Sequence, residues 1–193
     1  MRQKSFFVSL LYLLACAAAG SSEPVRITEL ESPIATVTKY CNLDFAGSRL
    51  ASNSYTEAEH LTRWSHPVEP AWDGATVVSG FNVISSKQSG KRAVITVRYT
   101  VLGKLQGRQF KQTTKRETVT FEVELGKREW SWKRDGHPVL VEARLAWRII
   151  DPLIQPHVSK PSAIRAISSL MNTQDESDSD ELQRTLHQLE ALR

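Results

Sequence analysis

Between Gly74 and Asp151 the chain alternates apolar and polar residues with a period of two, and no amphipathic helix pattern interrupts it. That period is the signature of strands with one face buried. A chain whose strands follow one another without intervening helices builds an antiparallel meander, so the pattern excludes an alternating α/β architecture. Helices are left to the two ends.

The first strand reads Ala75, Val77, Ser79, Phe81 and Val83 against Thr76, Val78, Gly80 and Asn82. Residues 85–92, rich in Ser, Gly and Lys, are expected to form the hairpin turn. Ala93, Ile95, Val97, Tyr99 and Val101 then share one face of a second strand. Residues 103–116 read as a long basic connection carrying Lys104, Arg108, Lys111, Lys115 and Arg116. Phe110 is its only aromatic, which speaks for a solvated hairpin arm over a nucleic-acid surface. In the third strand Val119, Phe121, Val123 and Leu125 form the apolar side. The parity flips at Trp130 and Trp132, and a bulge at Gly126 would account for it. Asp135-Gly136 is a hairpin tip. Counting from it places Trp132 opposite Val139, Trp130 opposite Val141 and Glu122 opposite Arg148. The returning strand ends in "LVEARLAWRIIDP". There Val141, Ala143, Leu145, Trp147 and Ile149 share the apolar face, while Glu142, Arg144 and Arg148 join Arg98, Glu122 and Glu124 outside. Opposite charges alternating across strands are what a wet sheet face favours. Asp151 closes the strand before Pro152.

Ahead of the strands, Ser32-Pro33 is an N-cap with proline in the first turn, and residues 34–50 read as a helix. Its inward stripe is Val37, Tyr40, Cys41, Asp44 and Ser48. Ser54-Tyr-Thr-Glu57 is a capping box that starts a short helix through Trp64, ended by Pro67 and Pro70. Behind the strands, residues 161–171 read as a helix and residues 172–180 as an acidic linker. A last helix follows, with Leu182, Leu186, Leu189 and Leu192 on one stripe. Too short to stand alone, it is expected to dock on the body or on a twin chain.

Residues 1–20 read as a secretory signal peptide: Arg2 and Lys4, an apolar block, then Ala17-Ala18-Ala19. A second processing reading overlaps it, because Leu13-Leu14-Ala15-Cys16 resembles a lipobox. Acylation of Cys16 is the only route by which this chain is expected to reach a membrane. Otherwise the expected location is the periplasm or the extracellular space. Residues 21–32 form a linker, residues 33–160 one domain and residues 161–193 a helical tail. Only Cys41 remains in the mature domain, which therefore holds no internal disulfide. Of the net charge of +4, Arg2 and Lys4 supply two. The remaining excess is too modest for a nucleic-acid binder, and it is divided between a basic body and an acidic tail, an arrangement in which the two touch.

Tyr40-Cys-Asn-Leu-Asp44-Phe-Ala-Gly47-Ser-Arg-Leu50, the segment 64–73, and Trp147-Arg-Ile-Ile-Asp-Pro152 with the following "PHVS" resemble the nuclear transport factor 2-like (SnoaL-like) superfamily over about residues 33–160. The resemblance implies an α+β, cystatin-like cone: a curved antiparallel sheet wrapped around N-terminal helices, with a pocket at its open end. The basic arm and the leucine-striped tail depart from the family pattern, and its short early strand is not evident. The superfamily includes isomerases, dehydratases, hydrolases and non-catalytic binding proteins, so fold does not decide activity.

Within that frame Trp64, Trp72 and Trp147 are candidates to line an apolar pocket, with Tyr40 and Asp44 as its polar fixtures. The leading expectation is an exported, non-catalytic domain that binds a small apolar ligand or a protein partner. An acid-base enzyme using Asp44 and His66 is the alternative. Against it stands the ordinary reading of Asp44, a buried carboxylate satisfied by Arg49, a tryptophan N–H or a backbone donor. An envelope assembly subunit forming a homodimer is the third. His137, His157 and His187 show no metal-ligand spacing, and neither a phosphate loop nor a nucleophile elbow is present. No metal or cofactor is expected.

Overall fold

The computed structural model describes residues 31–50, 57–65, 74–134, 137–172 and 179–192, with backbone alone over 128–144. Signal peptide, Cys16, His66 and Trp72 lie outside the described residues. Helix α1 (Pro33–Phe45) begins where Ser32 accepts the Ala35 N–H and Pro33 occupies the first turn. It ends at Ala46, and Gly47 follows with φ +89°, a left-handed backbone that favours glycine. A 3₁₀ turn, Ser48–Leu50, completes the segment that had read as one continuous helix. A helical turn over 57–59 leads into β1 (Thr62–Arg63), so the stretch up to Trp64 is a turn and a strand rather than one helix.

Strands β2 (Gly74–Ser89), β3 (Arg92–Gln106), β4 (Gln109–Arg134) and β5 (His137–Ile150) form the meander. β6 (His157–Ser159), α2 (Lys160–Met171) and α3 (Ser179–Ala191) complete the described chain. The result is α+β, a strongly curled sheet ordered β1-β5-β4-β3-β2-β6. It is mixed rather than antiparallel, because β1 runs parallel to β5 and β6 parallel to β2 at opposite margins. Both connections were hidden in the sequence because strands of two and three residues leave no periodic trace.

The two expected connections are strand. β2 runs on to Ser89 and turns at Gly90, φ +56°, and the basic arm is the paired end of β3 and β4 around Gly107, φ +54°. Irregular register supplies the fold's main device. Leu102 is an extra residue on β3 between the Val78–Val101 and Val77–Gly103 pairs, and Ser79 is an extra residue on β2. Each added residue reverses which way the side chains point. The hairpins therefore bury their two halves on opposite faces. Val78, Ile95, Val97, Tyr99, Val101, Phe121 and Ile149 pack against Val37, Tyr40 and Cys41 of α1. On the other face Ala75, Val77, Leu105 and Phe110 pack with Val158, with Ala163 and Ile167 of α2, and with Leu182 and Leu189 of α3.

A further irregularity lies between Trp130 and Trp132 on the β4–β5 ladder, and Gly126 pairs regularly with Ala146. The expected bulge at Gly126 is thus displaced, and the register moves with it. Trp132 does face Val139, but Trp130 faces Glu142, and Arg148 faces Glu124 while Glu122 faces Ile150. The expected tip, Asp135-Gly136, lies outside the described residues; Arg134 pairs with His137 beside it, and the count from there ran through the wrong bulge.

The leucine stripe docks on its own body. Leu182 and Leu189 are fully buried, Thr185 donates to Arg108 O (2.5 Å) and Gln109 Nε2 donates to Glu181 Oε1 (2.8 Å). Lys160 Nζ reaches Glu190 O (2.9 Å) and Leu192 O (2.5 Å), which satisfies carbonyls at the end of α3. Basic arm and acidic tail do meet, through neutral donors and apolar packing.

Candidate functional site

Asp44 closes the buried face of α1, and Arg49 reaches back to it from the 3₁₀ turn. Both residues are 1% exposed. Arg49 Nε donates to Asp44 Oδ1 (2.9 Å) and Nη2 to Oδ2 (3.0 Å), a two-pronged pair. The backbone N–H of His157 donates to the same Oδ2 (2.8 Å), and Arg49 Nη1 donates to Leu153 O (2.6 Å). The arginine also lies over the Tyr40 ring, 5.5 Å from its centroid. These contacts clasp the chain after β5 onto α1. Gly47 makes the approach possible: a Cβ there would stand 3.0 Å from Ser162 Cβ, where Ser162 Oγ donates to Phe45 O (3.1 Å).

Beside this pair, Cys41 Sγ and Tyr99 Oη share a hydrogen bond (3.1 Å). Burial pushes the Cys41 thiol up to about 12, partly offset by the tyrosine bond and reinforced by Asp44. Burial raises Tyr99 as well, so both stay neutral. The His157 ring, 3% exposed, stacks on Tyr99 with centroids 4.2 Å apart. Its Nε2 is 3.6 Å from Glu117 Oε1, just beyond hydrogen-bond reach, and neither ring nitrogen has a hydrogen-bond partner among the described residues. Burial holds His157 below its ordinary value, against the upward pull of Asp44 and Glu117. Burial works the other way on Glu117, but the Lys115 ion pair (3.1 Å), His157 and Lys104 together hold it low.

The predicted site residues thus separate. Tyr40 (1% exposed) and Trp147 (5%) lie in the core with Asp44, so Trp147 sits below the surface instead of at a pocket mouth. Trp64 is half-buried and lines an open groove of about 570 Å³ at the β1–β5 margin, with Glu59, His60, Thr62, Arg63, Lys127 and Arg148. Arg63 Nη1 donates to Glu124 Oε2 (2.9 Å), and Arg148 Nη2 makes a long contact with Lys127 O (3.4 Å). Asp151 does more than close the strand: at φ 43° its carboxylate accepts the Ser65 N–H (2.7 Å) just beyond Trp64. Sequence reasoning set Arg148 on the exterior face, did not single out Lys127, and weighed His157 only for metal-ligand spacing. Glu117 carried a usable signal, an acid in the same parity as Val119, Phe121 and Val123. Among the described residues no cluster of three metal-ligating side chains occurs.

Fold and site define a class by geometry: an α+β protein with a curled mixed sheet, a sealed polar cluster and an open groove. No family model, curated protein or solved structure matches the chain.

Proposed function

We propose that this protein is an exported, non-catalytic binding module of the nuclear transport factor 2-like type, and that its ligand face is the groove floored by Trp64. The observation that carries the reading is the state of Asp44. Three donors fix it, its charge is cancelled by Arg49 and solvent does not reach it. A general base needs a free carboxylate within reach of a substrate proton.

The groove favours a protein partner over a small apolar ligand. Arg63, Lys127 and Arg148 outnumber Glu59 in its lining, and it is open. An acidic segment laid across Trp64 complements both the charge and the flat indole, as aromatic and arginine side chains do at interface centres. Export and removal of residues 1–20 belong to the same proposal, with membrane attachment entering only through Cys16.

The test is native mass spectrometry of protein purified from its own host, on the wild type and on a Lys127→Glu/Arg148→Glu variant. A retained protein that is lost from the variant, with circular dichroism unchanged, supports the reading. A retained small apolar molecule, or a partner indifferent to the charge reversal, overturns it.

A further inference from the structure

We infer that His157 is a proton-sensitive latch on the β6–α2 junction, whose protonation releases the C-terminal helices from the sheet. β6 is three residues long and lies at the sheet's margin. The peptide that joins Pro156 to the histidine is held at both of its polar atoms, the carbonyl accepting the Thr76 N–H (2.8 Å) and the His157 N–H donating to Asp44 Oδ2 (2.8 Å). Two residues on, Ser159 caps α2 by accepting the Ser162 N–H. Whatever moves His157 therefore moves the start of the layer formed by α2 and α3.

The ring's surroundings suit a neutral imidazole. From α1 the ring feels Asp44; from the 3₁₀ turn, Arg49; from β3, the face of Tyr99, which stays neutral through its own burial. Asp44 is already matched by Arg49, so it offers little to a new cation. From β4 comes Glu117, the second carboxylate beside the ring among the described residues, though it is shared with Lys115 and influenced by Lys104. Its Oε1 is 3.6 Å away and the Glu117 side chain is 29% exposed, so an imidazolium gains most by leaving the Tyr99 face toward Glu117 and solvent. Leaving breaks the stack and strains both hydrogen bonds of the Pro156–His157 peptide.

The sign follows from burial. His157 is held below its ordinary value near 6.5 in the closed state, and an opened ring recovers that value. Closure is intact above pH 6.5 and weakens as pH falls toward the depressed value. The open population rises by up to about tenfold per pH unit in that window.

Hydrogen exchange of the mature full chain at pH 7.5 and 5.5, corrected for intrinsic rates, tests this above the carboxylate range. Peptides covering 157–171 and 182–192 are expected to exchange about tenfold faster at pH 5.5, with 93–101 unchanged. His157→Gln is expected to abolish the difference. Equal protection at both pH values, or an acid response surviving in His157→Gln, overturns the latch. Should that variant not fold, the wild-type ring signal decides by NMR: titration at or above 6.5 overturns it, and titration clearly below supports it.

Discussion

The Phe110 ring lies over Gly103 so closely that a Cβ on that glycine would stand 2.3 Å from Phe110 Cζ and 2.6 Å from Lys111 O. The two residues meet just past the irregularity at Leu102, where β3 and β4 turn their apolar side to the second core.

Gly103→Ala is therefore expected to destabilise the protein by about 1–3 kcal/mol, the usual cost of overpacking. The urea midpoint measures it. A loss under ~0.5 kcal/mol would mean the strands open without penalty.

Removing Arg49 strands a buried carboxylate. Arg49→Met is expected to cost about 3–5 kcal/mol, whereas Asp44→Leu combined with Arg49→Met costs less than Arg49→Met alone, since no charge is left uncompensated. Equilibrium unfolding of the two variants orders them. The reverse order would show that Asp44 is content without its arginine.

Cys41 is expected to be inert while folded. With its thiol pushed up to about 12, only about one molecule in 10⁴ carries a thiolate at pH 8, and the side chain is 1% exposed. Peptide mapping after iodoacetamide treatment should find Cys41 labelled only in denaturant. Labelling in buffer would contradict its seat against Tyr99.

Leu182 and Leu189 are both fully buried under the sheet. Leu189→Ala is expected to cost about 2–5 kcal/mol, as for other leucines cut back in packed cores. Deleting residues 179–193 should expose Leu105, Phe110 and Ile167 and produce dye binding at neutral pH, read by fluorescence. A truncated chain that melts like the full one would place the stripe outside the core.

What could be read in advance follows the length of the pattern. Ala93 to Val101 alternate over nine residues without a slip, and all five inward members are 2% exposed or less. Ser32-Pro33, the stripe through Asp44 and the leucines of the tail are equally periodic and stand where expected. The slips at Ser79 and Leu102 were invisible because a simple alternation runs on through each, Ala75, Val77, Phe81 and Val83 in one parity on β2 and Val101, Gly103 and Leu105 in one parity on β3, so the reversal of faces leaves no mark in a polar and apolar code. Arg49 was within sight as one of three partners for Asp44; His157 was not, because its role comes from a strand of three residues pairing with a distant one.

The same slips shape the sheet's free margin. Among the described residues β2 has no partner beyond Val78 on the β6 side, which leaves residues 79–89 as an unpaired rim. A straight rim of that length would template a foreign strand. This one is jogged at Ser79 and again at Ile84, and carries Lys87 near its end, so an incoming chain finds no unbroken ladder to join. The irregularities that give the molecule two interiors also guard it against fibre growth, and removing Ser79 and Ile84 to smooth the strand would trade solubility for neatness.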